Sequence, residues 1–451
     1  MTFILGTTLL LNFVAFFAVL KAPILSVALT ITNIACFYFA IKGGDRKSSL
    51  LTFLSAFYFN YLYFCHAGLR TRDFVDTTID ALVITRVLFA ALMLITSTLM
   101  INNIRITKKI NHYDALLILI SLFILIGGVY SPVPGYTMTS AVIFLSLTTA
   151  TMVLIRYYDF YYIFRLIAFS MLSLVLSSIL IIILDNNLAW IVDYANDQPI
   201  NRFSGIFLHP VQLGNCVSIL VLYLLYTLLS QKNRNYIIKI FSLAVIVVSM
   251  YFMYLAQSRV GIVCTIVSCA YVYMRFKPAK TIFLFSYVMA SILIIMFAYG
   301  FTGVLSEFTR SGKIEEILTF TGRVEVWQYS IKIIEEAPYF GHGYGSTRSI
   351  FATAPHMFGW SAPHAHNTVL EGLIEVGMFG VFLFIGTLFL SARHAKLYSN
   401  ALYGALLIQF ALRSVTEVLF FFYVPGIMTA LYILLILAPN SNHELGARPV
   451  K

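Results

Sequence analysis

Apolar residues run through this chain in long blocks separated by short polar stretches. Fourteen blocks are legible, at about 2–20, 24–41, 49–69, 81–101, 114–130, 139–155, 161–184, 206–230, 236–256, 259–274, 281–301, 366–390, 399–416 and 419–438. Most approach the roughly 20 residues a helix needs to cross the hydrocarbon of a bilayer. Backbone groups in hydrocarbon must be satisfied within the segment, so each block is expected to be a helix. The block 259–274 is short, and the last two are nearly continuous. The predicted fold is all-α, a polytopic membrane protein of about 12–14 transmembrane helices. The first block has no basic region before it and reads as a membrane helix, not a cleavable signal.

One connection breaks the pattern. Residues 302–365 form a long loop between two blocks, dividing the chain into helices over 1–301, the loop, and helices over 366–451. Long loops commonly carry function. Within this one, Val324, Trp327, Ile331 and Ile334 fall on one face of a helix from Arg323 to Glu336. Glu325, Lys332 and Glu336 lie elsewhere on it, and Pro338 stops it. Such a helix is expected to lie on the membrane surface or to cap the bundle. A second short helix is expected over Ser306–Phe320. Gly341-His342-Gly343-Tyr344-Gly345 follows, as a tight turn or a phosphate cradle. No Lys-Ser/Thr comes after it, so it is not a Walker loop. A smaller loop, 185–205, holds Asp185, Asp193, Asp197 and Arg202.

Composition agrees with the membrane reading. The chain is 60% hydrophobic and 11% charged, against about 25% charged in soluble domains. Its five cysteines (Cys36, Cys65, Cys216, Cys264 and Cys269) all fall in apolar blocks, as buried small residues. Charge then orients the chain. With both termini cytoplasmic, the cytoplasmic connections carry a balance of +14 and the outer side −4, with Arg86 inside a helix. The net charge of +11 thus follows from topology, and no nucleic-acid partner is needed to explain it. The large loop falls on the outer side.

Charges buried in a membrane are costly, at about 2.5–3.5 kcal/mol for a central Arg. Arg86 sits about five residues, or roughly 7.5 Å, below the outer end of its helix. Arg202, Arg259 and Arg413 lie at outer helix mouths, as do Arg70 and Arg72. Each alone fits an ion pair as well as a ligand contact. Together they offer planar donors matched to a diphosphate. The second constellation is Pro363-His364-Ala365-His366-Asn367, leading into Glu371 and Glu375. His366 suits a general base; a helix N-cap with a solvated neighbour is the plainer reading. His-x-His without a Cys or Asp cluster is a weak metal signal, and no metal site is assigned.

Several of these residues resemble the bacterial O-antigen ligase and O-antigen polymerase family. Gly322-Arg323, Trp327, Pro338, Gly341-x-Gly343, His366-Asn367, Glu371, Gly377 and Gly380 carry the likeness. Arg202-Phe-Ser-Gly205-Ile-Phe-Leu-His209-Pro210, Leu213-Gly214 and Ser258-Arg259-Val-Gly261 extend it over about 202–380. The resemblance implies a bacterial inner-membrane glycosyltransferase with no cofactor and no metal, acting at the periplasmic face. Its donor would be a glycan on undecaprenyl diphosphate; its acceptor, a lipid-linked repeat (polymerase) or the lipid A core (ligase). Arginines (Arg202, Arg259 and Arg323, then Arg86 and Arg413) would hold the diphosphate. His366 would activate the acceptor hydroxyl, supported by Asn367, Glu371 and His364. A chain-length regulator and a flippase are the implied protein partners. The fourteen blocks favour a polymerase of O-antigen, capsule or exopolysaccharide. Ligase is the alternative, and a lipid-linked sugar flippase is the reading from another class. A transporter would place its charges mid-membrane; here they gather at one face.

Overall fold

The computed structural model describes residues 46–67, 81–103, 111–195, 198–230, 235–277, 323–353, 362–393, 400–421 and 424–440. The expected helices at 2–20, 24–41, 281–301 and Ser306–Phe320 lie outside these residues, as do Cys36, Arg70, Arg72 and Asp197.

The described chain is all-α apart from one hairpin. In order its helices are α1 (Arg46–His66), α2 (Ala81–Asn103), α3 (His112–Gly127), α4 (Pro134–Tyr157) and α5 (Phe160–Leu184). A 3₁₀ turn (Asn186–Ala189) leads to strands β1 (Trp190–Ala195) and β2 (Gln198–Phe203). Then come α6 (Pro210–Ser230), α7 (Tyr236–Leu255), α8 (Arg259–Phe276), α9 (Arg323–Glu336), α10 (Thr347–Ala352), α11 (Thr368–Ala392), α12 (Ala401–Ser414) and α13 (Ile427–Leu437). Seven of these, α2, α4, α5, α6, α7, α8 and α11, are long and apolar enough to cross a membrane; α3, α12 and α13 are shorter apolar helices. The protein is a polytopic helical membrane protein.

The helix ends have local causes. Asn111 accepts from the Tyr113 and Asp114 amides and Asp114 reaches back, which starts α3. Asp159 caps α5, and Pro210 occupies the first position of α6, where its missing N–H costs nothing. The loop 185–205 folds as an antiparallel hairpin with Trp190 opposite Phe203 and Ile191 opposite Arg202. Opposite, half-buried Arg156 and buried Asp114 pair at 2.7 Å where α4 ends and α3 begins.

The expected block 419–438 is not one helix. Residues 415–421 and 424–426 run irregularly, and α13 starts after them. Pro425 cannot donate to a helix and biases the residue before it away from helical geometry. At about 1.5 Å per residue, eleven residues are too short to span, and every residue of α13 is buried. A helix apolar all round belongs inside a bundle, and α13 packs on α4, α5 and α11.

Two further expectations need correction. Helix α9 has the predicted ends, but its buried face is Val326, Ser330 and Ile333, while Ile331 is 50% exposed. The face is turned by one residue, about 100°, because α9 packs on α11. Val326 and Ile333 join Phe351, Ala362, Ala365 and Ile374 in one small core. The block 366–390 is interrupted: Gly377 sits at φ +62, ψ −172 inside α11.

Candidate functional site

One end of the bundle gathers the sequence motifs. The histidine loop is built from the start of α11. Asn367 is its N-cap, accepting from the Val369 and Leu370 amides at 2.9 and 3.0 Å, and its amide donates to Val415 O at 3.0 Å. The cap reading of Asn367 therefore holds. Buried Glu371 accepts from the Ala365 amide at 2.6 Å, which folds the loop back on the helix. Trp327 Nε1 donates to Ala365 O at 3.0 Å from the other side. Between these ties His366 adopts φ +50, a left-handed conformation that costs an L-residue roughly 1–2 kcal/mol. Its amide donates to His364 Nδ1 at 3.2 Å, and the two rings lie 4.0 Å apart. Burial, and secondarily the Arg323 guanidinium, push His364 down to about 3.

The irregular segment after α12 is the other wall. Arg323 donates to Thr416 O and pairs with Glu417 at 3.0 Å. Thr368 Oγ1 donates to Glu417 O at 2.6 Å and accepts from the Leu419 amide at 3.2 Å. Tyr344 Oη donates to Phe420 O at 2.9 Å. Side chains thus satisfy the carbonyls that a helix would have satisfied, the condition for irregular backbone inside a membrane protein.

The arginines converge on the α7–α8 turn. Arg202, on β2, donates Nε and Nη2 to Ala256 O at 3.1 and 2.9 Å. Buried Arg413 donates to Asn215 Oδ1, to Gly214 O at 3.1 Å and to Gly261 O at 3.3 Å. Ser258 fits between Gly214 and Gly261; a Cβ on either glycine would lie 2.2 or 2.4 Å from its hydroxyl. The glycines of Leu213-Gly214 and Ser258-Arg259-Val-Gly261 are there to let this packing occur. Arg259 opens α8 at the same turn, half-exposed. Beside Arg413 and Gln409 lies a small cleft walled by Phe410, Leu419 and Met428. Arg86 stands apart, donating Nε to Phe64 O at 2.8 Å. It supports the end of α1 and pairs with no described acid.

The glycine-rich 341–345 segment is a strap across the break in α11. His342 and Gly343 amides donate to Ile374 O and Glu375 O at 2.7 and 2.8 Å. Met378 and Phe379 amides donate to Pro338 O and Tyr339 O at 2.9 and 3.2 Å. These are the groups a continuous helix would have paired internally. Gly341, at φ +68, abuts the Glu375 backbone; a Cβ on Gly377 would lie 2.4 Å from Tyr339. His342 Nε2 is taken up by Ile333 O at 3.1 Å. The second acid, Glu375, is buried near Thr347 and Gly345.

Sequence reasoning missed Asn215, Thr368 and Glu417, and named Ser258 and Tyr344 only as members of motifs. None stands out locally, and each acts on a partner remote in the chain.

Residues 243–385 match a family model described as O-antigen ligase. That stretch, about a third of the chain, is similar to the O-antigen ligase family. The match takes in Arg259, Arg323, His364, His366, Asn367, Glu371, Gly377 and Gly380; Arg86, Arg202 and Arg413 lie beyond it. No individually curated protein matches the chain. The likeness supports a role in glycan transfer during surface polysaccharide or lipopolysaccharide synthesis.

Proposed function

We propose that the protein polymerises a surface polysaccharide at the periplasmic face of the bacterial inner membrane. A glycan on undecaprenyl diphosphate is transferred to a hydroxyl of a second lipid-linked repeat. The observation that carries this reading is convergence: the His364–Asn367 loop and the Ser258–Gly261 turn are both tied to one short stretch, Arg413–Glu417.

In the proposed step, His366 takes the proton of the acceptor hydroxyl as its oxygen bonds to the anomeric carbon. The bond from that carbon to the diphosphate oxygen breaks, and undecaprenyl diphosphate leaves with the electron pair. Arg259, with Arg202, Arg323 and Arg413 behind it, stabilises the developing charge. Asn367, Glu371 and His364 act on the loop backbone and fix where the His366 ring stands. One base and a few cations suffice, because diphosphate is already a good leaving group and needs no acid.

The match to a family described as O-antigen ligase favours a second reading, ligation to lipid A core. Purified protein in proteoliposomes with radiolabelled lipid-linked repeat separates the readings. Chain growth is the expected result. Transfer to added lipid A core would make it a ligase, and movement across the bilayer without transfer would make it a flippase.

A further inference from the structure

A second cluster lies at the same end of the bundle, where α1 ends. His66 Nε2 accepts from the Ile427 amide at 3.2 Å. A backbone amide can only donate, so Nε2 carries no proton and the neutral ring carries its own on Nδ1. His66 thereby supplies the first N–H of α13 with a partner. Its Nδ1 turns toward Gln212, in the first turn of α6. His66 Nδ1 and Gln212 Oε1 face each other without reaching full hydrogen-bond geometry, although both residues are more than nine-tenths buried. Arg86 reaches the same place from α2. Its Nε is spent on Phe64 O, two residues before His66, but its Nη2 is buried with no acceptor. Among the described residues no carboxylate pairs with it.

Two buried donors thus meet, one of them on a guanidinium that pairs with no described carboxylate. Leaving a charged donor unmade in such a place is expensive, and the complement is an oxygen bearing negative charge. Gln212 can present either its oxygen or its NH₂ by turning its amide, so it can supply a third donor. A guanidinium and N–H donors in a low-dielectric setting are the chemistry that recognises phosphate. Arg202, Arg259 and Arg413 gather separately on the Ala256–Gly261 turn, and Arg413 grips α6 at Gly214 and Asn215.

We propose that His66, Arg86 and Gln212 form a second phosphate-binding site, beside that of Arg202, Arg259 and Arg413. Its occupant rests on the proposed function. A polymerase brings together two lipid-linked glycans, each with its own diphosphate, and two sites allow both to be held at once.

Native mass spectrometry of the detergent-solubilised protein with undecaprenyl diphosphate tests this, with inorganic diphosphate as a parallel probe. Wild type should carry two lipids. Arg86→Gln should carry one, and Arg259→Ala should lose the other; the lipid retained by each variant shows that it is folded. Arg86→Lys should recover part of the lost occupancy. If Arg86→Gln binds both probes as wild type does, the second site does not exist, whatever Arg259→Ala shows. If Arg86→Gln loses only inorganic diphosphate, the site stands and takes free phosphate in place of a second lipid. If Arg259→Ala leaves lipid binding intact while Arg86→Gln reduces it, the second site survives and the assignment of Arg259 falls.

Discussion

At the scale of single residues, the three described histidines of the loop and its end have different surroundings. His342 is engaged by Ile333 O and sits on the strap. His364 accepts the His366 amide through Nδ1 and is held neutral, at about 3. His366 occupies a strained conformation between two anchored neighbours, a pattern common where geometry serves function. Turnover on purified lipid-linked substrates should therefore fall about 10²–10⁴-fold in His366→Ala, the typical worth of a general base. A variant within about threefold of wild type would exclude His366 as that base. His364 makes a separate pH prediction. Its folded value lies below the ordinary histidine value near 6.5, so the unfolded chain binds the extra proton. The stability it contributes is complete above about pH 6.5 and declines as pH falls toward 3. Thermal unfolding at pH 7 and pH 5 should show a larger acid-side drop in wild type than in His364→Asn. The arginines also divide. Arg413→Ala would take the donor from the buried Asn215 Oδ1 and untie α12 from α6 and α8, at about 1–3 kcal/mol. It should unfold at lower temperature, whereas half-exposed Arg259→Ala should keep its melting point and lose transfer.

At the scale of elements, the break in α11 is the feature most exposed to a single change. Gly377→Ala would force an L-side chain to φ +62, ψ −172, a region open essentially to glycine alone, at about 1–3 kcal/mol, and drive its Cβ into the Tyr339 backbone. The strap's hydrogen bonds would loosen with it. Limited proteolysis should then cut between α9 and α11 faster in Gly377→Ala than in wild type, with a lower melting point; an unchanged pattern would mean the strap is not held by this junction. Much of this was legible in sequence and some was not. The ends of α9 were readable because Pro338 is a local stop. Its buried face was not, because Val324 and Val326 are equally apolar and only the position of α11 chooses between them. The 341–345 glycines signalled a turn, but their partner is a helix break more than thirty residues on. The 419–438 block misled because apolar content reports burial, and here the burial is against the rest of the bundle.

At the scale of the whole molecule, helix succession and site geometry give one answer about sidedness. The ends of α1, α3, α5, α7 and α12 and the starts of α2, α4, α6, α8, α11 and α13 belong to one side. Contacts tie them together: Ala67 bridges Phe207, Arg202 reaches Ala256, Tyr130 reaches Phe340 O and Tyr61 reaches Pro425 O. The sequence placed the arginines on this side through alternation, but it held no information on which of them meet. This is also the side with the −4 balance, opposite the connections that hold +14. Positive connections stay cytoplasmic, so the site should face the periplasm. A cysteine at an exposed, non-glycine position tests this without straining the fold; Lys332, on the outward face of α9, is exposed. Because three of the four described native cysteines are buried and Cys269 lies in an apolar helix, background labelling by an impermeant maleimide should be low. Lys332→Cys should react in intact spheroplasts, and a cysteine at Lys239, at the start of α7, should react only after lysis. The opposite pattern would invert the topology and move the proposed transfer to the cytoplasmic face. Equal reaction of both before lysis would mean leaky spheroplasts, which a cytoplasmic marker protein in the same preparation identifies.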